Sequence, residues 1–540
     1  MENKNVLLAL VLMVMVWAGF NLFQSPSSAP SSPEVTPATA ISQVSDAAPV
    51  AASAPAAAFD PAPDTAAVIR DIVVETDKFQ AVFSTAGANL KSLQLKGFRE
   101  SREAGSGPVS LVDPDLGQPT LNLHGQGDWQ FSEGLRFTTN LAEDVLRVGT
   151  GDEAQLVFSA RGPDGSVVEK IFSFAGDRYD FGLQVRIHNS SEQERQGQIV
   201  LTLEQPWDEQ HAEQAGRSFV GPSMLIEGKV KKFKDKELQQ GPVRIDNGVA
   251  WTAFEDKYFI ASLIPLERNG EQVVLEMVDN RIANRLLSSG FSLAPGKSRE
   301  FSYQVFFGPK DLEVLGKVGH DLEKAVNFGF FNILAKPLLA VLKFFHGNLI
   351  RNYGFAIIML TALIKLIFWP LTHKSYKSMR DMQKLQPEMQ ALREKFKDDK
   401  ERMNREIMEL YRSKRVNPMG GCLPMFVQIP VFFALYRVLL EAIELRHEPF
   451  MFWIADLSAK DPYYITPIIM GGTMFLQQKM SPSTMDPQQA KIFMFLPLVF
   501  TFMFLNFPSG LVIYWLVNNV LTILQQWYIN RGGKKAVAAS

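Results

Sequence analysis

One cysteine, Cys422, stands in the whole 540-residue chain, which excludes an intrachain disulfide. Histidine is almost as scarce. Seven residues, at 124, 188, 211, 320, 346, 373 and 447, sit singly, and no pair has the spacing of metal ligands. No Gly-x-x-x-x-Gly-Lys-Ser/Thr loop is present, so the chain does not read as an ATP-driven machine. Nor is there a basic excess. Lys and Arg number 55 against 57 Asp and Glu, which argues against direct binding of nucleic acid. No metal and no cofactor is expected.

The near-neutral total hides a partition. Residues 24–321 carry 41 Asp and Glu against 28 Lys and Arg, whereas 374–415 carry 13 basic residues against eight acidic ones. Hydrophobicity is partitioned too. Val6 to Phe23 is apolar apart from Asn21, and at ~1.5 Å per residue it reaches ~27 Å, enough to cross a bilayer core. Residues 1–23 are therefore expected to be an amino-terminal membrane anchor, with a cleaved signal peptide as the alternative. Residues 24–68 are rich in Ala, Pro and Ser and lack the large apolar groups that offset ordering entropy, so they read as a disordered linker.

From 69 to 315, alternating and β-branched runs such as Val167–Phe174, Phe181–Ile187 and Phe301–Phe307 are separated by Asn-Gly, Asp-Gly and Pro-Gly turns. This predicts a large antiparallel β-sandwich. Residues 322–349 are apolar but carry Lys324, Lys336, Lys343 and Pro337, a pattern that fits an interfacial amphipathic helix, with a span as the alternative. Five apolar segments follow, giving spans at 350–371, 419–443, 462–479, 491–507 and 509–530, and six in all with the anchor. The basic stretch 372–418 is placed inside by the positive-inside rule. The β domain and loop 444–461 then fall outside, and loop 480–490, the tail 531–540 and both chain ends fall inside.

Lys365 is the most informative residue, because a lysine within a span costs ~2.5–3.5 kcal/mol on insertion scales. Thr361 lies one turn away on the same face. Tyr514, Asn518 and Thr522 step by four along the last span, with Trp515 and Asn519 beside them, and Gln428 lies in the third. Together they suggest a wet groove around one cation. Snorkelling of Lys365 to the interface and helix–helix hydrogen bonding by the stripe are the alternatives. No acidic residue near Lys365 in the spans offers a counter-ion, so a client would bring it. Within 372–418, Met382, Leu385 and Met389 belong to an apolar seam at steps of three and four, and Lys397, Asp398 and Asp399 make a polar tip. This reads as a helical hairpin, either self-contained or a docking arm for ribosome, nascent chain or targeting factors, with Met382, Leu385, Met389, Lys397 and Asp399 as its contacts.

Longer motifs carry a resemblance. Asn417-Pro418-Met419-Gly420-Gly421-Cys422-Leu423-Pro424 opens a span. Trp369-Pro370-Leu371-Thr372, Asp461-Pro462-Tyr463-Tyr464, Gln478-Lys479-Met480-Ser481-Pro482 and Phe507-Pro508-Ser509-Gly510-Leu511 flank others. Over its whole length the chain resembles the Gram-negative type of the YidC/Oxa/Alb family of membrane protein insertases.

The resemblance implies a polytopic α-helical protein of the bacterial inner membrane, with a five-span insertase core, a periplasmic β-supersandwich and a cytoplasmic hairpin. It implies an insertase and chaperone for nascent membrane proteins, alone or beside the Sec translocon, and no bond-making enzyme. Lys365 matches the family's single groove cation, usually arginine, so the charge is kept and the bidentate fork lost. Thr361, Tyr514 and Trp515 match other groove positions. Likeness of the β domain to sugar mutarotases would not by itself give sugar chemistry. A solute transporter and a membrane-tethered carbohydrate enzyme are the rival classes.

Overall fold

The structure, a computed structural model, describes residues 68–538 except 114–118, 133, 208–217, 268–269, 279, 398, 415, 417–422 and 481–493. The expected anchor at 1–23, the linker at 24–68 up to its last residue, and loop 480–490 beyond Met480 lie outside those residues. So does the Asn417–Cys422 motif.

Alternation of side chains builds the β domain. In Asp180–Asn189, Phe181, Leu183, Val185 and Ile187 turn inward and are buried, while Gln184, Arg186 and His188 keep some exposure. Antiparallel neighbours flank this strand, Ser166–Ala175 setting Lys170 opposite Val185 and Ser298–Pro309 setting Phe301 there. Among the described residues the strands form nine-, six- and five-stranded sheets. Among the described strands, pairing is antiparallel except where Asp71–Glu75 meets Val145–Arg147. The inner faces close on a cluster of Phe79, Phe83, Phe158, Phe172, Phe174 and Phe181. The β-sandwich read from the sequence is thus present.

The outer face of the nine-stranded sheet is also apolar, with Trp251, Ala253, Ile260, Ile264 and Phe306 buried. It is covered by α1 (Leu312–Val318), which Asp311 caps by accepting from the amides of Glu313 and Val314, and by a 3-10 turn at Leu322–Ala325. Then comes α2 (Asn332–Asn348). The helix expected over 322–349 is therefore shorter. Gly329, at φ +71°, takes a left-handed conformation that glycine adopts without steric cost, and it separates the 3-10 turn from the helix.

The remaining helices are α3 (Tyr353–Ile367), α4 (Trp369–Lys384), α5 (Gln386–Lys395), α6 (Lys400–Ser413), α7 (Leu423–Glu441), α8 (Ile465–Met480), α9 (Leu496–Phe504) and α10 (Ser509–Ala538). Helices α3 and α4 meet at an angle of 62°. Pro370 at the start of α4 has no amide hydrogen to continue the ladder of α3. Pro387 likewise lies in the first turn of α5.

Among the described residues, Gly329–Asn348 is the one helical stretch long and apolar enough by itself to cross a membrane, and the bent pair α3–α4 qualifies jointly. The six spans expected from the sequence do not appear as six such helices. The first expected span and the start of the fifth lie outside the described residues, and α9, with nine residues, reaches only ~14 Å.

Ionic contacts tie the helices to the β domain. Lys343 of α2 meets Asp311 at 3.0 Å, Glu313 at 3.2 Å and Glu444 at 3.3 Å. Burial opposes ionisation of Asp311, but the Lys343 ammonium and the α1 amides outweigh it and hold its carboxyl below the usual range. Arg446 donates to the carbonyl of Arg99 at 2.7 Å, and Arg102 to that of His447 at 2.8 Å.

Candidate functional site

Helix α3 carries the cation. Asn352 caps it by accepting from the Phe355 amide at 3.2 Å. Gly354 lets the Phe450 ring close over its first turn, where an added Cβ would come within 2.0 Å of that ring. Ala356, Ile357, Leu360 and Ile364 bury one face, and Leu366 and Ile367 leave the other exposed. Lys365 stands between the two faces, in the last turn of the helix. The sequence suggests a mid-span position, but the break at Phe368 puts Lys365 near a helix end, where the macrodipole favours a cation.

The Lys365 Nζ donates to Thr522 Oγ1 of α10 at 2.8 Å, and Thr522 in turn donates to the Asn518 carbonyl at 2.6 Å. Among the described residues no carboxylate pairs with it. Its side chain borders a cleft of about 390 Å³. Ala362 and Leu366 of α3 form one wall and Trp369 of α4 the end. Leu521, Leu524, Gln525, Trp527 and Tyr528 of α10 complete the cleft. Gln525 is 3% exposed, and its Nε2 is buried without a hydrogen-bond partner.

The other expected residues divide. Gln428 donates to the Tyr514 hydroxyl at 3.1 Å, and Tyr514 stacks on Phe432. Trp515 packs edge-on to Phe432 at 4.6 Å and beside Phe500 and Phe504. Thr361 is buried, with its hydroxyl donating to the Ile357 carbonyl at 2.7 Å, so it faces inward. Tyr514 and Thr522 lie eight residues apart on α10, ~12 Å along its axis. The polar residues expected around one cation therefore form two clusters, Gln428–Tyr514 and Lys365–Thr522. A third set faces α8, where Asn519 donates to Thr473 at 3.4 Å and Gln526 to the Met480 carbonyl at 2.7 Å.

Sequence reasoning missed Gln525 and the aromatic residues Trp369, Trp527 and Tyr528 as cleft components. One more step of three along the Tyr514–Asn518–Thr522 stripe reaches Gln525. The aromatic residues gave no periodic signal.

Between α4–α5 and α6, Met382, Leu385 and Met389 are buried with Tyr411, whose hydroxyl donates to Met389 Sδ at 3.2 Å. These three pack α4 and α5 against α6. Lys397 and Asp399 are exposed between α5 and α6, where Asp399 caps α6 by accepting from the Arg402 amide at 3.0 Å. Among the described residues no cluster of three potential metal ligands occurs. The β domain has a cleft of about 580 Å³ over Gly127, Gly197 and Gly290, edged by Gln126, Gln196, Gln198, Phe291 and Ser292, and none of these is an acid or base.

The architecture defines a class: an extramembrane β-sandwich joined to an apolar helical bundle that holds one cation in an open cleft. Residues 71–341 match the family model of the YidC periplasmic domain and residues 344–536 that of the 60Kd inner membrane protein. The membrane protein insertase YidC of Geotalea daltonii is 45% identical over 534 residues, covering 98% of this chain and 99% of its own. That of Geobacter sulfurreducens is 48% identical over 466 residues, covering 86% and 87%. A solved active YidC insertase with its first transmembrane domain resolved is 19% identical, covers 87% of this chain and 95% of its own, and has a TM-score of 0.35. The chain belongs to the YidC family of membrane protein insertases, inner-membrane proteins with a periplasmic domain.

Proposed function

We infer that this chain inserts proteins into the bacterial inner membrane and that the Lys365 cleft receives the polar end of the client. The observation that carries this is an ammonium with no carboxylate partner among the described residues, beside a cleft whose rim is exposed and apolar. At an effective dielectric near 20, opposite charges ~4 Å apart attract by ~4 kcal/mol. Carrying one charged residue to the centre of a span costs ~2.5–3.5 kcal/mol, so one cation can offset it. A client with a short apolar segment and an acidic flank would place the flank near Lys365 and let the apolar segment slide past Leu366 and Leu524 into lipid. No bond is made or broken, and the role is that of insertase and chaperone.

The arrangement in the membrane belongs to the same proposal. Six spans place both chain ends and the hairpin in the cytoplasm and the β domain in the periplasm. The exposed apolar residues Ile468, Phe475, Leu498 and Phe502 on α8 and α9 support a lipid-facing surface for these short helices. Short helices thin the bilayer locally and shorten the polar path. The exposed hairpin tip at Lys397 and Asp399 would meet ribosome or targeting factors, and the Sec translocon would share larger clients.

The test replaces Lys365 by Arg, Ala and Glu and follows insertion of a Sec-independent single-span client with an acidic flank. Arg should preserve insertion, Ala reduce it, and Glu reduce it most. Normal insertion by Lys365→Glu would overturn the role of the charge.

A further inference from the structure

The cleft has chemistry that a client's carboxylate does not account for. Its walls are mostly leucine and aromatic, and they include one cation, Lys365, and one amide, that of Gln525, whose Nε2 has no hydrogen-bond partner. Leu366, Leu524, Trp527 and Tyr528, all more than half exposed, open it sideways along the outer surface of the bundle. Trp369, Trp527 and Tyr528 are residue types that settle at the headgroup level of a bilayer. Lys365 lies two residues before the end of α3, within a lysine's reach of that level. One cation and one amide above a greasy slot are complementary to an amphiphile with a single anionic group.

We propose that the resting cleft binds one membrane glycerophospholipid, its phosphodiester held by Lys365 and Gln525 and its acyl chain lying along Leu521 and Leu524. The lipid supplies the counter-charge that no described carboxylate provides at Lys365, and the unpartnered Gln525 Nε2 gives it a second donor. A bound phospholipid keeps the ammonium paired while no client is present, and an arriving acidic flank must displace it. The inference rests on the reading of this cleft as the client site facing the bilayer, and it adds a competitor to that site.

Native mass spectrometry of the full chain in detergent tests this, with dioleoyl-phosphatidylglycerol, dioleoylglycerol and inorganic phosphate as probes. Phosphatidylglycerol should bind one per chain, and dioleoylglycerol, which lacks the phosphate, about tenfold more weakly. Lys365→Gln should weaken phosphatidylglycerol by about tenfold, and Gln525→Leu by about threefold, while Lys365→Arg keeps most of the affinity. Equal binding by parent and Lys365→Gln, at matched thermal stability, overturns the proposal, as does equal binding of the two lipids. Displacement of lipid by millimolar inorganic phosphate would make the cleft a simple anion pocket and also overturn it.

Insertion assays on the same variants separate the two readings. Lys365→Gln that loses insertion but keeps lipid supports only the client role. Lys365→Gln that loses lipid but inserts normally supports only the lipid site.

Discussion

Two lysines in this chain, Lys170 buried and Lys365 half-buried, have opposite surroundings. Lys170, in the β domain, is completely buried, and its Nζ donates to the carbonyls of Ala88 at 2.5 Å, Leu121 at 2.8 Å and Gly87 at 3.5 Å. Three acceptors match the three hydrogens of its ammonium form, and neither of the two clefts is lined by it. Lys365 has one hydroxyl partner and a cleft of about 390 Å³ beside it. A closed amine staples loops together, whereas an open one has capacity left for a ligand. Burial by itself does not say whether a lysine has capacity left for a ligand. The number of acceptors left unmade does.

The largest effect is expected at the closed site. Burial pushes the Lys170 amine down to about 7 from its ordinary value near 10.5. Between those values the unfolded chain holds a proton that the folded chain has lost, so the stability of the folded state rises with pH. From pH 7 to 9.5 this contributes about 3 kcal/mol. Urea unfolding of the parent and of Lys170→Met across this range should show the increment in the parent alone. Equal slopes would mean that the three carbonyls keep the ammonium charged, and the closed site would then be a cation site like the open one.

How far the sequence reveals these two sites differs. Lys170 follows Val168 by two and precedes Phe172 by two, so alternation alone places it inward. The carbonyls it meets come from Gly87, Ala88 and Leu121, some 50 to 80 residues away, and no local pattern announces them. Strand positions follow from alternation, yet the order of the nine-stranded sheet depends on long-range pairing and does not. Lys365 stands out by composition. Its depth does not, because 350–371 reads as one straight span while the chain breaks at Trp369-Pro370. The division of α10 into one face toward Lys365 and another toward α8 also needs the packed helices, since Asn518 and Asn519 are adjacent in sequence.

The open site makes a prediction of intermediate size. If Lys365 is there to be completed by a client's charge, its effect depends on the client's flank and not on the client's apolar segment. A single-span client with two acidic flank residues should insert about tenfold faster than its amide counterpart in the parent, a difference of ~1.4 kcal/mol. In Lys365→Ala the two clients should converge. A persistent gap would place the favourable interaction on other cations, and Lys365 would become a second structural lysine. Thermal unfolding should barely change in Lys365→Ala, because a single hydroxyl bond is lost, in contrast to Lys170.

The smallest effect separates the two faces of α10. Asn519 and Gln526 bond to α8 and never meet Lys365, so they act as glue between helices. Interhelical hydrogen bonds in membranes average ~0.6 kcal/mol, and the 3.4 Å separation of Asn519 from Thr473 puts this one at or below that figure. A double-mutant cycle of Asn519→Leu and Thr473→Val should therefore give a coupling of ~0.5 kcal/mol in unfolding, with client insertion unchanged. A loss of insertion specific to acidic flanks would instead show that the polar environment of Lys365 extends through α10 to its α8 side. The cleft would then have to be redrawn to include both faces of the helix.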